Sequence, residues 1–375
     1  MNSGGKIHFP NLDGLRFLCC FTIMIFHFEQ MLTYEFSNYR SAIMPHVNIG
    51  MQDVSLFFTL SGFLITYLLL KEKQDAGEIH LKNYYIRRSL RIWPLYFLIV
   101  ITGFFILPVI GKQFNISYFE LNTGHSILNF ILCMLFLPPY GITLKAIGAT
   151  WSVRVEEIFY IVEPLLIKWV KRIVPAFILI IIGTILFRNG YRIFTRELHL
   201  YQLRHFMLVI SYYRFSCMAI GGIGAYIVMA NKKGILKIIY RKDLQWVVYI
   251  AVILMLVFRF TVRYINYEFY SLFFCYIIIN LATNPVSVLK LESKLSNYLG
   301  RISYGMYLYS TILRIFCIML AEKIFSPEKV TWQFAVFYYF ISFASTIAVS
   351  AVSYQYFEKP FLKLKNRFEV VKTKA

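Results

Sequence analysis

Residues 12–27 read Leu-Asp-Gly-Leu-Arg-Phe-Leu-Cys-Cys-Phe-Thr-Ile-Met-Ile-Phe-His, and the mainly apolar segment goes on through Glu29 and Gln30 to Leu32. A helix apolar on nearly every side belongs in a protein interior or a bilayer. The segment 12–32 meets the roughly 20 residues that a bilayer crossing needs. Working outward, similar stretches occur at 54–70, 92–110, 151–170, 173–187, 205–230, 245–262, 268–284, 298–322 and 333–357. An eleventh, 126–137, is apolar but runs into Pro138-Pro139 and falls short of crossing length. It is expected to be re-entrant or interfacial.

Composition agrees with this pattern. Apolar residues make up 58% of the 375, charged residues 15%, and the mean hydropathy is +0.60. A soluble domain holds about 25% charged residues. Disordered, collagenous and disulfide-stapled classes are excluded on the same grounds. The expected fold is all-α: one polytopic membrane bundle of about ten helices over 1–375, with a short basic tail at 359–375. The six cysteines lie in apolar segments without C-x-x-C spacing and read as small buried hydrophobes.

A net charge of +20 on a soluble protein would suggest nucleic acid. Here the charge sits between apolar segments, where it sets orientation, so no nucleic-acid partner is expected. With ten spans and both termini in the cytoplasm, 24 Lys and Arg residues fall inside and 11 outside. Letting 126–137 cross would move the Lys232–Lys242 and C-terminal clusters outside, against the positive-inside rule. The predicted location is the inner (plasma) membrane, multi-pass, with the lipid bilayer as partner. The first segment has no uninterrupted apolar core and no small-residue cleavage site, so it reads as a permanent helix rather than a signal peptide.

Four arginines remain within spans: Arg16, Arg154, Arg214 and Arg314. Ionisable groups at such depth are costly and point to function unless they pair within the bundle. For Arg214 and Arg314 both readings stay open. In the first helix, Arg16 and His27 are eleven residues apart, about 20° past three full turns and about 16 Å along the axis. Asp13 falls on the same face. A lone buried histidine is usually a satisfied core residue; one aligned with an aspartate and an arginine is a candidate catalyst.

In 150–164, Glu156, Tyr160 and Glu163 share a helix face, and Glu156 or Glu157 is a candidate to charge-match His27. Arg88 and Arg91, at i and i+3, form a guanidinium pair suited to phosphates and also serve topology. Ser61-Gly62 either allows close helix packing or leaves room for a thin acyl-pantetheine arm. His199 and His205 are not spaced as a helical ligand pair and no His/Cys cluster appears, so no metal is expected.

These residues resemble the acyltransferase-3 family of membrane proteins, which O-acylate cell-surface polysaccharides. Phe9 to Arg16 through His27 looks like its R-x10-H motif. Ser55-Leu-Phe-Phe-Thr-Leu-Ser-Gly-Phe-Leu-Ile65 looks like its F-F-x-x-S-G-F-L-I segment, and Arg88-Ser-Leu-Arg91 its R-x-x-R. Trp151 to Tyr160 is similar to its W-S-L-x-x-E-x-x-F-Y stretch. Gly300 to Leu308 and Tyr356-Phe-Glu-Lys-Pro-Phe361 look like its late signatures.

The resemblance implies a ten-helix core that moves an acyl group, most often acetyl, from cytoplasmic acyl-CoA to a hydroxyl of a cell-surface glycan or glycolipid. His27 would be catalytic, with Glu156 or Glu157 supporting it. Arg16, Arg88, Arg91, Ser61 and Gly62 would meet the donor, and Asp13, Trp151 and Tyr160 the substrate. Many relatives carry a histidine after the late Ser-Tyr-x-x-Tyr-Leu stretch, where Tyr309-Ser310 stand here. Some append an outer SGNH-type domain, which is not expected in this chain. The competing reading is a polysaccharide or small-molecule exporter that uses the same buried charges.

Overall fold

The computed structural model describes residues 7–36, 39, 49–121, 126–139, 145–197, 213–326 and 330–371. Among these residues the chain is helical, with no strand. Ten long helices match the ten expected segments: α1 (Leu12–Glu35), α2 (Ile49–Ala76), α3 (Leu81–Ile101), α6 (Thr150–Trp169), α7 (Ile173–Glu197), α8 (Phe215–Met229), α10 (Lys242–Val257), α11 (Asn266–Thr283), α12 (Lys294–Phe325) and α13 (Trp332–Ser353). The short elements are α4 (Leu107–Phe114), α5 (Ser126–Met134), α9 (Lys233–Ile239) and α14 (Lys359–Lys365). Five of the long helices are both long and apolar enough to cross a bilayer by composition alone. Others, such as α6 with Arg154, Glu156, Glu157 and Glu163, carry their charge inward instead. The first part of the expected 205–230 span, 205–212, lies outside the described residues, as do His199 and His205.

The nine residues of α5 are too few to cross, and Pro138-Pro139 follow them. Large apolar side chains such as Phe105, Val109, Ile131, Leu179, Leu186, Val247 and Phe340 point outward. That would be unfavourable in water and suits a lipid-facing wall. The chain is a multi-pass membrane protein.

Two glycine seams fix the register around α1 and α2. A Cβ on Gly62 would lie 2.0 Å from the Met218 carbonyl oxygen, and one on Gly221 would lie 2.0 Å from that of Thr59. Helices α2 and α8 therefore touch backbone to backbone and form the most extensive helix pair. Gly300 of α12 meets the Asp13 backbone in the same way, with its would-be Cβ 2.1 Å from the carbonyl oxygen. At the foot of α1, Asn11 takes a left-handed conformation (φ 65°). Its side chain accepts from the Leu291 and Glu292 amides and donates to the Leu281 carbonyl.

Away from α1, Arg188 is buried and donates to both carboxylate oxygens of Glu268, each at 2.8 Å. Arg188 and Glu268 thus form a buried ion pair within the bundle. Arg214 is fully buried, donates to the Ser55 hydroxyl at 3.0 Å and lies 3.7 Å over the Tyr267 ring. That arrangement favours the bundle-holding reading for Arg214.

Candidate active site

Helices α1 and α12 pack along one another, and both, with α6, contribute walls to two cavities that follow one another along α1. The first, about 430 Å³, is lined from α1 by Asp13 and Arg16, from α2 by Ser61, from α3 by Arg88 and Arg91, and from α6 by Glu156 and Tyr160. Arg301, Tyr304 and Tyr307 of α12 complete one wall, and Glu358, Lys359, Lys363 and Lys365 another. Seven Lys and Arg side chains face three carboxylates here, so the chamber is electropositive. Asp13 takes a hydrogen bond from Arg16 at 2.5 Å, one turn along α1. Ser61 Oγ donates to Glu156 at 2.9 Å. The Arg88 guanidinium sits 5.1 Å over the Tyr160 ring, which holds it in place while leaving its N–H groups available. Arg91 has no hydrogen bond or ion pair among the described residues.

The second cavity, about 470 Å³, lies further along the same three helices. His27, Gln30, Met31 and Tyr34 of α1 face Thr150, Trp151 and Arg154 of α6 and Thr311, Arg314 and Ile315 of α12, with Tyr118 closing the side. The buried Nδ1 of His27 has no hydrogen-bond partner among the described residues. Arg314 donates to the His27 carbonyl at 2.7 Å, so a guanidinium is fixed beside the imidazole. Arg154 donates to Cys133 Sγ at 3.1 Å. An imidazole, two guanidiniums and three aromatic rings in one chamber suit a sugar hydroxyl and a developing oxyanion.

Between the cavities, Ser152 Oγ and Tyr307 Oη are hydrogen-bonded at 2.8 Å. Both residues face the first cavity, while their neighbours Trp151 and Thr311 face the second. This bonded pair, the septum, lies in the wall of the first cavity on the side of the second along α12.

The structure thus separates residues that the sequence reading had grouped. Arg16 and His27 share a face of α1, but each opens onto its own cavity. Asp13, Tyr160, Ser61, Arg16, Arg88 and Arg91 gather in the basic cavity, and Trp151 joins His27. Neither expected carboxylate accepts a hydrogen bond from His27: Glu156 is held by Ser61, and Glu157 accepts from Trp93 Nε1 at 2.9 Å. Because α6 runs antiparallel to α1, Glu156 lies below the septum, more than a turn from Trp151. Gly62 lines neither cavity; it is spent on the contact with Met218. Asp13 and Tyr160, expected to meet the substrate, line the basic cavity together with Arg16, Arg88 and Arg91.

Sequence reasoning missed the Ser152–Tyr307 septum, the placing of Arg154 and Arg314 about His27, and the basic residues of α12 and α14. A usable signal existed for the α12 wall, since Gly300, Tyr304 and Tyr307 follow i, i+4, i+7.

A family model described as an acyltransferase domain matches residues 9–354. The chain is 26% identical to a Staphylococcus aureus (strain COL) protein that carries the name "Putative O-acetyltransferase", over 95% of this chain and 58% of the relative. It is 29% identical to the peptidoglycan O-acetyltransferase OatA of Listeria monocytogenes over 46% of this chain and 27% of that protein. A protein of Acidianus two-tailed virus named "Putative acetyltransferase" is 25% identical over 82% of this chain and 84% of its own length. The chain therefore spans little more than half the length of the staphylococcal relative. No solved structure matches.

Proposed function

Since the chain belongs to the acyltransferase family whose model spans residues 9–354, we propose that it is a membrane-embedded O-acetyltransferase that passes acetyl from acetyl-CoA to a hydroxyl of a cell-surface glycan. One observation carries the reading: a basic chamber and a histidine chamber follow one another along α1, α6 and α12, with the hydrogen-bonded Ser152–Tyr307 pair in the wall of the first.

In this scheme the donor enters the basic cavity, which faces the cytoplasm. Arg88 and Arg91 take its phosphates, a role suited to guanidinium forks. The pantetheine arm extends along Arg16 and Ser61, and the thioester passes Ser152 and Tyr307 to meet the acceptor beside His27. The acceptor sugar enters from the outer side and stacks on Tyr34, Tyr118 or Trp151. His27 Nδ1 accepts the proton of the acceptor hydroxyl as its oxygen attacks the thioester carbonyl; the C–S bond breaks and the thiolate leaves with the CoA. Arg314 and Arg154 offset the negative charge that builds on the carbonyl oxygen. The similarity to the Listeria enzyme favours a cell-wall glycan as acceptor.

Reconstitution in liposomes tests this. The proposal expects free CoA thiol to appear in step with acetyl ester on added glycan. Glycan or solute flux without acetyl transfer would establish the exporter reading instead.

A further inference from the structure

The stretch 356–361 has no part in the reaction scheme, yet the structure brings Glu358 and Lys359 to the wall of the basic cavity. After α13 the chain makes a π-turn over Tyr354–Glu358, and Pro360 then opens α14. Helix α14 packs along α3, the helix that carries Arg88 and Arg91. Just beyond it, Arg87 donates to the Phe368 carbonyl at 2.8 Å and fastens the far end. Lys363 and Lys365 are thereby held in the wall of the same cavity as Arg16, Arg88 and Arg91.

This gathering of like charge is costly on its own. Arg91 lies near enough to Arg16 and Arg88, and Lys365 near enough to Arg88 and Arg91, for each to repel the others. Lys365 finds partial relief from Glu369 at 3.3 Å. Lys363 is exposed and has no hydrogen bond or ion pair among the described residues. Lys363 and Lys365 add positive charge to the cavity wall that already holds Arg16, Arg88 and Arg91, an arrangement suited to an anion.

We propose that α14 is part of the donor site and that Lys363, backed by Lys365, holds the outermost phosphate of the donor, the 3′-phosphate on the adenosine of coenzyme A. The inference rests on the donor reading above and adds the part of the molecule recognised. Its basis is order along the ligand. If the thioester reaches the septum, the pantetheine arm and then the pyrophosphate lie nearer to it, by Arg88 and Arg91. The adenosine and its 3′-phosphate come last, at the rim where α14 sits. An anionic lipid headgroup offers similar chemistry, so the test must separate the two.

Full-length protein in phosphatidylcholine nanodiscs would be titrated with coenzyme A and with its 3′-dephospho form. Wild type is expected to bind coenzyme A about tenfold more tightly than the dephospho form, the loss typical of one charge-assisted contact. Lys363→Ala should remove that preference, with affinity for the dephospho form kept, and Lys363→Arg should restore it. Equal weakening toward both nucleotides, no weakening toward either, or an effect that appears only when phosphatidylglycerol is in the disc would overturn the inference. Failure of wild type to bind coenzyme A at all would overturn the donor reading itself, and this inference with it.

Discussion

Gly62 separates two explanations of one motif, because its neighbour Ser61 faces the basic cavity while Gly62 faces α8. In Gly62→Ala the new Cβ would meet the Met218 carbonyl oxygen at 2.0 Å and its carbon at 2.6 Å, where ordinary contact begins near 3.4 Å. The obstacle is backbone on both sides, so no side chain can swing away. Helices α2 and α8 would have to part by roughly 1 Å, and a gap of that size forfeits about a quarter to a half of each dispersion contact along the seam. Gly221 against Thr59 shares the same seam, so the loss spreads over two contact points. We expect about 3 kcal/mol of destabilisation, the upper end of the overpacking range. Thermal unfolding of purified protein in detergent should show the midpoint falling by roughly 5 °C or more. Coenzyme A affinity of the fraction that remains folded should match wild type. An unchanged midpoint with weakened coenzyme A binding would refute the argument and return Gly62 to the donor path.

Further outcomes follow from other contacts. Arg188→Ala leaves Glu268 buried without its bidentate partner and should cost about 3–5 kcal/mol, seen as a loss of folded protein; Arg188→Met with Glu268→Met should recover much of it. Arg88→Lys keeps the charge but loses the planar fork above Tyr160, so the KM for acetyl-CoA should rise about tenfold with a smaller change in kcat. Tyr307→Phe removes the septum bond to Ser152; stability should fall by only about 1 kcal/mol, and slow acetyl-CoA hydrolysis without acceptor should increase as water crosses between the cavities. Asn11→Ala abandons three hydrogen bonds at the foot of α1 and strains a left-handed position, and should lower the melting midpoint more than Tyr307→Phe does.

The bundle itself was legible because each long apolar segment announces its own helix, and α5 announced its shortness through Pro138-Pro139. The identity of most charged residues at the two chambers was legible too: Arg16, His27, Arg88 and Arg91 stand out because burying or clustering them is expensive. Their grouping was not. Periodicity assigns residues to a face of one helix, yet the axial register between helices depends on contacts such as that of Gly300 of α12 on Asp13 of α1, which no single segment encodes. For that reason Glu156 was matched with His27 although it belongs one chamber away. Helix α14 escaped notice for a related reason. A basic segment after the last span reads as topology, and only its packing against α3 makes it a cavity wall.

The central claim, that His27 in the second cavity performs acetyl transfer to a surface glycan, is tested most directly by ester-bound acetate. Surface glycans would be analysed by mass spectrometry from cells lacking the protein and complemented with wild type or His27→Ala at equal membrane levels. The account predicts acetylated glycan with wild type. With the alanine variant it predicts a fall of about 100-fold or more, to the level of cells without the protein. Wild-type acetylation by a folded His27→Ala protein would contradict it.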